Sequence, residues 1–222
     1  MKPLFSHHIT SRRRLVKQVL GGFLGFVLLG TAQVSMATPD ASADVFIKRL
    51  TDELLVTVKA DKSILSGDIN KISALVDQRV MPHVNFQRMT ASAVGPGWRQ
   101  ATPEQQKRLQ EEFKVLLVRT YSGALGQVSD HSISVKPLRA AADDKEVLVR
   151  TEVRGKGDPI QLDYRVEKTA DGSWKVYNMN VMGIWLVENY KTQFAQEINA
   201  KGLDGLISTL AERNKSNARA SK

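Results

Sequence analysis

Cysteine is absent from the 222 residues, aromatic side chains make up 6%, and histidine occurs four times. Without thiols there is no disulfide, no thiolate nucleophile and no Cys-ligated metal, so the fold must hold by burial alone. His7 and His8 sit near the N-terminus, which leaves His83 and His131 for the rest of the chain, and neither has the spacing of a metal-binding helix such as HExxH. There is no GxSxG elbow, and the pairs Gly95/Gly97 and Gly155/Gly157 lack the third glycine of a phosphate-cradling loop. An excess of charge is also missing from most of the chain, although 32 Lys and Arg stand against 23 Asp and Glu. Lys2, Arg12, Arg13, Arg14 and Lys17 precede residue 38 with no acid among them, and Arg213, Lys215, Arg219 and Lys222 face only Glu212 in the last twelve residues. Residues 38–210 therefore carry 23 basic against 22 acidic groups. The basic residues of this body are dispersed and not interleaved with aromatics, which argues against a nucleic-acid partner.

What is present begins with an address. The basic stretch Ser11 to Lys17 precedes an apolar run from Val19 to Val34, and Ser35, Met36 and Ala37 follow with the small-residue spacing of a cleavage site. Residues 1–37 read as a signal peptide cleaved after Ala37. The competing reading, a membrane anchor, needs ~20 apolar residues, and this run is shorter and holds Gly21, Gly22, Gly25 and Gly30. Ser-Arg-Arg-Arg-Leu also resembles a twin-arginine signal with Leu15 in place of the usual Phe, and both Sec and twin-arginine export fit. Export without cysteine points to a bacterial periplasm, and a body of this size buries roughly 70% of its unfolded surface, enough to stand without disulfides.

Helices come first and strands second. Phe46, Ile47, Leu50, Leu54 and Val58 form one stripe between Ala43 and Ala60. Ile69, Ile72, Val76 and Val80 repeat the spacing after Gly67 and before Pro82, and a short helix is expected from Phe86 to Val94. After the turn Gly95–Trp98, the trio Thr102, Pro103 and Gln105 predicts a capped helix carrying Leu109, Phe113, Leu116, Leu117, Thr120 and Ala124. Beyond Ser129 the period changes to two. Ile133 and Val135, then Val147, Val149, Thr151 and Val153, then Ile160, Leu162, Tyr164 and Val166 each share a face, and a fourth strand is expected from Ser173 to Met182. Two helices close the fold, with stripes at Leu186, Val187, Tyr190, Phe194 and Ile198 and at Leu203, Leu206, Ile207 and Leu210. The expected class is α+β: a four-stranded antiparallel sheet with one charged, wet face and the other covered by amphipathic helices, enclosing an apolar pocket. Residues 38–210 form one domain, and residues 211–222 are expected to be a mobile basic tail.

Asp163 and Glu167 share a strand face at a spacing that suits acid–base work, but they alternate with Arg165 in the pattern of a solvated surface. The inward strand positions offer no acid or base, and no enzyme activity is expected. A cleft or a surface remains as the means of action.

Trp174 to Leu210, WKVYNMNVMGIWLVENYKTQFAQEINAKGLDGLISTL, closely resembles the C-terminal signature of the MlaC-type periplasmic phospholipid-binding proteins, also called toluene-tolerance or transport auxiliary proteins. Gly95 to Leu125 matches that family's Trp-Arg-x-Ala-Thr-x-x-Gln segment and following helix, and His83 to Gly95 matches the segment before it. One departure is plain: Trp185 stands where the family commonly has Ser. An indole there either narrows the mouth of a pocket or, if the bend extends the strand, packs on the surface.

The resemblance implies a carrier with no cofactor, holding phospholipid as its ligand and moving it between an outer-membrane lipoprotein and porin complex and an inner-membrane ABC transporter with an MCE ring. The usual direction proposed for such proteins is removal of misplaced phospholipid, which maintains outer-membrane asymmetry. A lipid slot is expected between sheet and helices, lined by Leu50, Leu54, Met81, Met89, Phe113, Leu117, Tyr121, Val147, Val149, Leu162, Tyr164, Val166 and Met179, with Met182 and Tyr190 as further candidates. Two other readings stay open: a ligand-free adaptor for envelope proteins, and an enzyme acting on a small hydrophobic substrate.

Overall fold

The computed structural model describes residues 42–125, 128, 130–141 and 143–220. The expected leader, 1–37, and its cleavage site lie outside the described residues.

The first stripe forms α1 (Ala43–Ala60), which buries Phe46, Ile47, Leu50 and Val58. Its other face carries the ion pairs Lys48–Asp52 and Arg49–Glu53, each one helical turn apart. A short α2 (Lys62–Leu65) follows because the Asp61 carboxylate caps it, accepting from the amides of Ser63 (2.8 Å) and Ile64 (3.4 Å). Asp68 does the same for α3 (Ile69–Leu75). The helix then widens into a π turn at Val76–Val80 and tightens into a 3-10 turn at Met81–His83, where Pro82 supplies no N–H to continue it. Asn85 caps α4 (Phe86–Val94) through the Arg88 amide at 3.0 Å. The expected capping box opens α5 (Pro103–Leu125): the Gln105 amide donates to Thr102 Oγ1 (3.2 Å) and the Thr102 amide to Gln105 Oε1 (3.0 Å).

The strands β1 (Ser132–Val135), β2 (Glu146–Arg154), β3 (Ile160–Lys168), β4 (Trp174–Val181) and β5 (Ile184–Trp185) form one antiparallel sheet in that order. The sheet thus has five strands, not the expected four. Met182 (φ 53°) and Gly183 (φ 88°) both lie in the left-handed region, which makes a two-residue hairpin turn, and Asn180 Oδ1 accepts the Gly183 amide at 2.8 Å. Met-Gly is not a pair that announces such a turn, because methionine rarely adopts positive φ. Trp185 accordingly extends the sheet opposite Asn180, and the Arg165 guanidinium lies 4.0 Å over its ring, the surface-packing outcome of the two expected.

Between Arg165 and Val166 the β3–β4 register shifts, so that Val166 faces Val176 while Arg165 faces Asn178. This bulge resets the inward set of β4 from Trp174 and Val176 to Met179 and Val181.

The outer sheet face is wet as expected on β2, where Glu146, Arg150 and Arg154 are exposed, and departs from that expectation on β3 and β4. Asp163, Asn178 and Asn180 are buried there. At Asn178 the reason is α6 (Leu186–Ala220, bent at Gly202, φ 72°), whose first turn packs on this edge. Asn178 accepts the Val187 amide at 3.2 Å and donates to Glu188 at 2.7 Å, while Arg165 pairs with Glu188. At its far end α6 runs on past Leu210 as helix. Asn214, one turn beyond, is buried and donates through Nδ2 to the Glu112 carbonyl (3.0 Å) and carboxylate (2.8 Å). A polar residue continues the stripe, so counting apolar positions alone ends the fold too early.

Candidate functional site

The buried side chains divide into three clusters instead of one. Phe86, Met89, Phe113, Tyr190 and Phe194 belong to a helical cluster of α4, α5 and α6, with the Phe113 ring 5.0 Å from Tyr190 and 5.2 Å from Phe194, both edge-on. Phe46, Ile47, Leu50, Val147, Val149, Tyr164 and Val166 form a second cluster between α1 and the sheet. Val58, Ile64, Ile72 and Leu75 form the third, around the α1–α3 turns.

The thirteen lipid-site residues expected from sequence fall on both sides of this division. Met89 and Phe113 lie in the helical cluster, and Leu50, Val147, Val149, Tyr164 and Val166 lie in the sheet cluster. All seven are buried. The other six, Leu54, Met81, Leu117, Tyr121, Leu162 and Met179, are only half-buried. Leu54, Leu162 and Met179 pack on the sheet cluster, and Met81 and Leu117 on the helical one. Leu54 also touches the third cluster, and Val84 touches both the sheet and the helical clusters. A seam of incompletely covered apolar side chains thus runs along the junction. Val84 and Val118, which packs on the third cluster, were missed from sequence. Val84 follows Pro82 outside any periodic stripe, and Val118 sits beside Leu117 on the flank of the α5 stripe, so periodicity flags neither.

At the α4 end the layers are fastened. Val84 bridges to Val176, and the Asn85 amide donates to the Val176 carbonyl at 2.8 Å. Arg88 pairs with Glu167 and, at 2.8 Å, with Glu146, and its guanidinium lies 3.7 Å over the Tyr177 ring. Asn85 Nδ2 donates to Glu167 (2.6 Å) and Tyr177 Oη to Glu146 (2.9 Å). Burial works against the Arg88 charge, but the bonds to Glu167 and Glu146 outweigh it and its pKa is raised. Burial likewise opposes the Glu146 charge, and the bonds from Tyr177 and Arg88 prevail, holding that carboxyl below its ordinary value. Inside the sheet cluster, burial pushes the Tyr164 hydroxyl up to about 12. Burial, and then Tyr190, raise the pKa of Tyr121 beside the seam.

Clustered reactive groups are not part of this arrangement. Among the described residues no three His, Asp or Glu side chains gather as a metal site, and no helix is long and apolar enough to cross a membrane. His83 has its ring 5.8 Å from Phe46, and His131 lies over Gly155, where an added Cβ would meet Nε2 at 2.4 Å.

The fold and site together define a class: a single helix-roofed antiparallel sheet whose apolar interior is divided into clusters with half-buried apolar side chains at their margins. The family model described as MlaC protein matches residues 48–212, and the chain belongs to that family. It is 24% identical over 192 residues to the intermembrane phospholipid transport system binding protein MlaC of Haemophilus influenzae, covering 85% of this chain and 90% of that one. To the toluene tolerance protein ttg2D of Pseudomonas putida it is 31% identical over 180 residues, 80% of this chain and 82% of the relative. A phospholipid-binding protein of Ralstonia solanacearum, solved in complex with a phospholipid, is 47% identical and superposes with a TM-score of 0.78 over 80% of this chain and 99% of its own.

Proposed function

We propose that the protein is a periplasmic phospholipid carrier whose seam holds acyl tails. One observation carries this reading: a relative 47% identical over nearly its whole length was solved with a phospholipid bound. The half-buried Leu54, Met81, Leu117, Tyr121, Leu162 and Met179 are the lining that meets the tails, and the buried Leu50, Met89, Phe113, Val147, Val149, Tyr164 and Val166 are the walls behind it. The physical need is large. Exposing acyl chains to water costs about 0.8 kcal/mol per methylene, so a lipid with roughly thirty of them faces a penalty on the order of 20 kcal/mol in free solution. An elongated apolar slot removes that penalty without gripping the headgroup, and flexible thioethers such as Met81 and Met179 adapt to tails of different length.

On this reading residues 1–37 are the export signal and the protein acts by binding, not by catalysis. It exchanges lipid with an inner-membrane MCE-ring ABC transporter and an outer-membrane lipoprotein and porin complex, and so helps to maintain lipid asymmetry. Organic extraction of purified protein followed by mass spectrometry tests the reading. One diacyl phospholipid per chain is the expected result; preparations that hold no lipid and take none from vesicles would overturn it.

A further inference from the structure

The sheet ends in two edge strands, the two-residue β5 and the four-residue β1. On the β4 side, Val84 and β5 both pair with the last long strand. On the other side β1 ends the sheet, and its register shows which of its backbone groups are free. The Lys136 amide donates to the Arg150 carbonyl at 2.9 Å, which makes Lys136 opposite Arg150 a hydrogen-bonded position. In an antiparallel ladder such positions alternate, so Ser134 opposite Glu152 and Ser132 opposite Arg154 also bond inward. Ile133 and Val135 then turn their N–H and C=O groups outward. Among the described residues no hydrogen bond reaches these groups from any other element.

Beside this edge lies an open cleft of about 640 Å³, walled on one side by Ile133 to Pro137 and on the other by α1, through Asp44, Val45, Lys48, Arg49 and Asp52. Val45 is 51% exposed in it. Edge strands are commonly guarded by a lysine reaching over them. Here that residue, Lys136, lines the cleft while its ammonium pairs with Glu152 of the neighbouring strand at 2.6 Å.

We propose that β1 is a docking edge for an extended segment of a partner polypeptide, which adds a sixth strand to the sheet and rests an apolar side chain on Val45. The edge itself selects this occupant: two outward amide and carbonyl sets, two residues apart on one strand, match the backbone of another strand and no compact ligand. Charge narrows it further. The α1 wall holds the pairs Lys48–Asp52 and Arg49–Glu53 and one further acid, Asp44, so the segment need carry at most one compensating positive charge. The contact is short, because β1 has four residues and Pro137 follows it. Such a contact is weak and reversible, which suits a protein that must dock and leave.

The test uses a displayed random eight-residue peptide library selected on the immobilised whole protein, with binders titrated calorimetrically. Ile133→Pro removes an outward N–H together with the half-buried Ile133 side chain, and keeps the backbone groups of Ser132, Ser134 and Lys136 that pair with β2. Val45→Arg changes only the cleft wall. The expected result is peptides whose affinity falls at least tenfold in Ile133→Pro and several-fold in Val45→Arg, with amide exchange slowed at Ile133 and Val135 in the wild-type complex. Thermal melting of each variant reports whether the fold is kept, and if Ile133→Pro melts early, Val45→Arg and the exchange data decide. Binders that protect other amides, or that bind Val45→Arg and Ile133→Pro as well as wild type, overturn the proposal. So does a concentration-dependent dimer lost in Ile133→Pro, which would make the occupant a second copy of this chain. Co-purified lipid should not change in either variant, so failure here is separate from failure of the carrier reading.

Discussion

The helical cluster around Phe113 and the seam beside it are built from the same residue types, yet one is closed and the other is not. Phe113 is fully buried, with Phe86, Tyr190 and Phe194 rings around it, whereas Leu117, one turn further along the same helix, is only half-buried. Three helices converge on Phe113. Leu117 packs on the margin of that cluster and is not enclosed by it. The proposed carrier would use this combination, since the closed region supplies stability and the half-buried one leaves apolar side chains within reach of a ligand.

Phe113→Ala attacks the closed region and should show the largest effect, a loss of about 3–5 kcal/mol in denaturant unfolding. A loss under about 1 kcal/mol would mean that the aromatic cluster is not the stabilising half. Alkaline pH probes the sheet cluster. Because burial holds Tyr164 neutral up to about 12 against an ordinary 10.0, its contribution is complete below pH 10 and falls away between pH 10 and 12. The loss should reach roughly 3 kcal/mol, and Tyr164→Phe should remove this pH dependence. Arg88→Met cuts the fastening between α4 and the sheet. It should cost about 1–2 kcal/mol, because the group is partly exposed and leaves Glu146 and Glu167 facing each other.

Filling the seam inverts the pattern. Leu117→Trp or Met179→Trp should change stability by less than about 1 kcal/mol, because from a half-buried position the ring can extend towards solvent, while extracted phospholipid drops several-fold. A large destabilisation without lipid loss would place these residues in closed core. The smallest effect is expected in acid. Asp171, held down to about 2 by Thr169 and Ser173 in the β3–β4 turn, stabilises the turn above its ordinary 3.8 and loses that contribution as pH falls towards 2. Asp171→Asn should therefore lower the melting temperature slightly at pH 7 and not at pH 2.

Much of this was legible because local chemistry agrees with the fold. The α1 stripe, the Thr102–Gln105 box and the alternation of β2 need only their own residues. The errors came where a distant element intervened. Asp163 reads as solvated from its alternation with Arg165, but it is buried beside Gln161 of its own strand and Asn180 of β4. Asn214 reads as tail because it is polar, yet Glu112 waits for it on α5. The thirteen residues expected to line a lipid slot could not be divided from sequence into the buried and the half-buried, because that depends on how the layers meet.

The order of letters fixed most of the elements, the inward faces of α1, α5 and β2, and the membership of a family, because helix and strand periods and caps act over a few residues. Tertiary structure alone decided which apolar side chains close into core, where the seam runs and which sheet edge stays open. Those outcomes depend on how separate layers meet, and no local pattern encodes the gap between them.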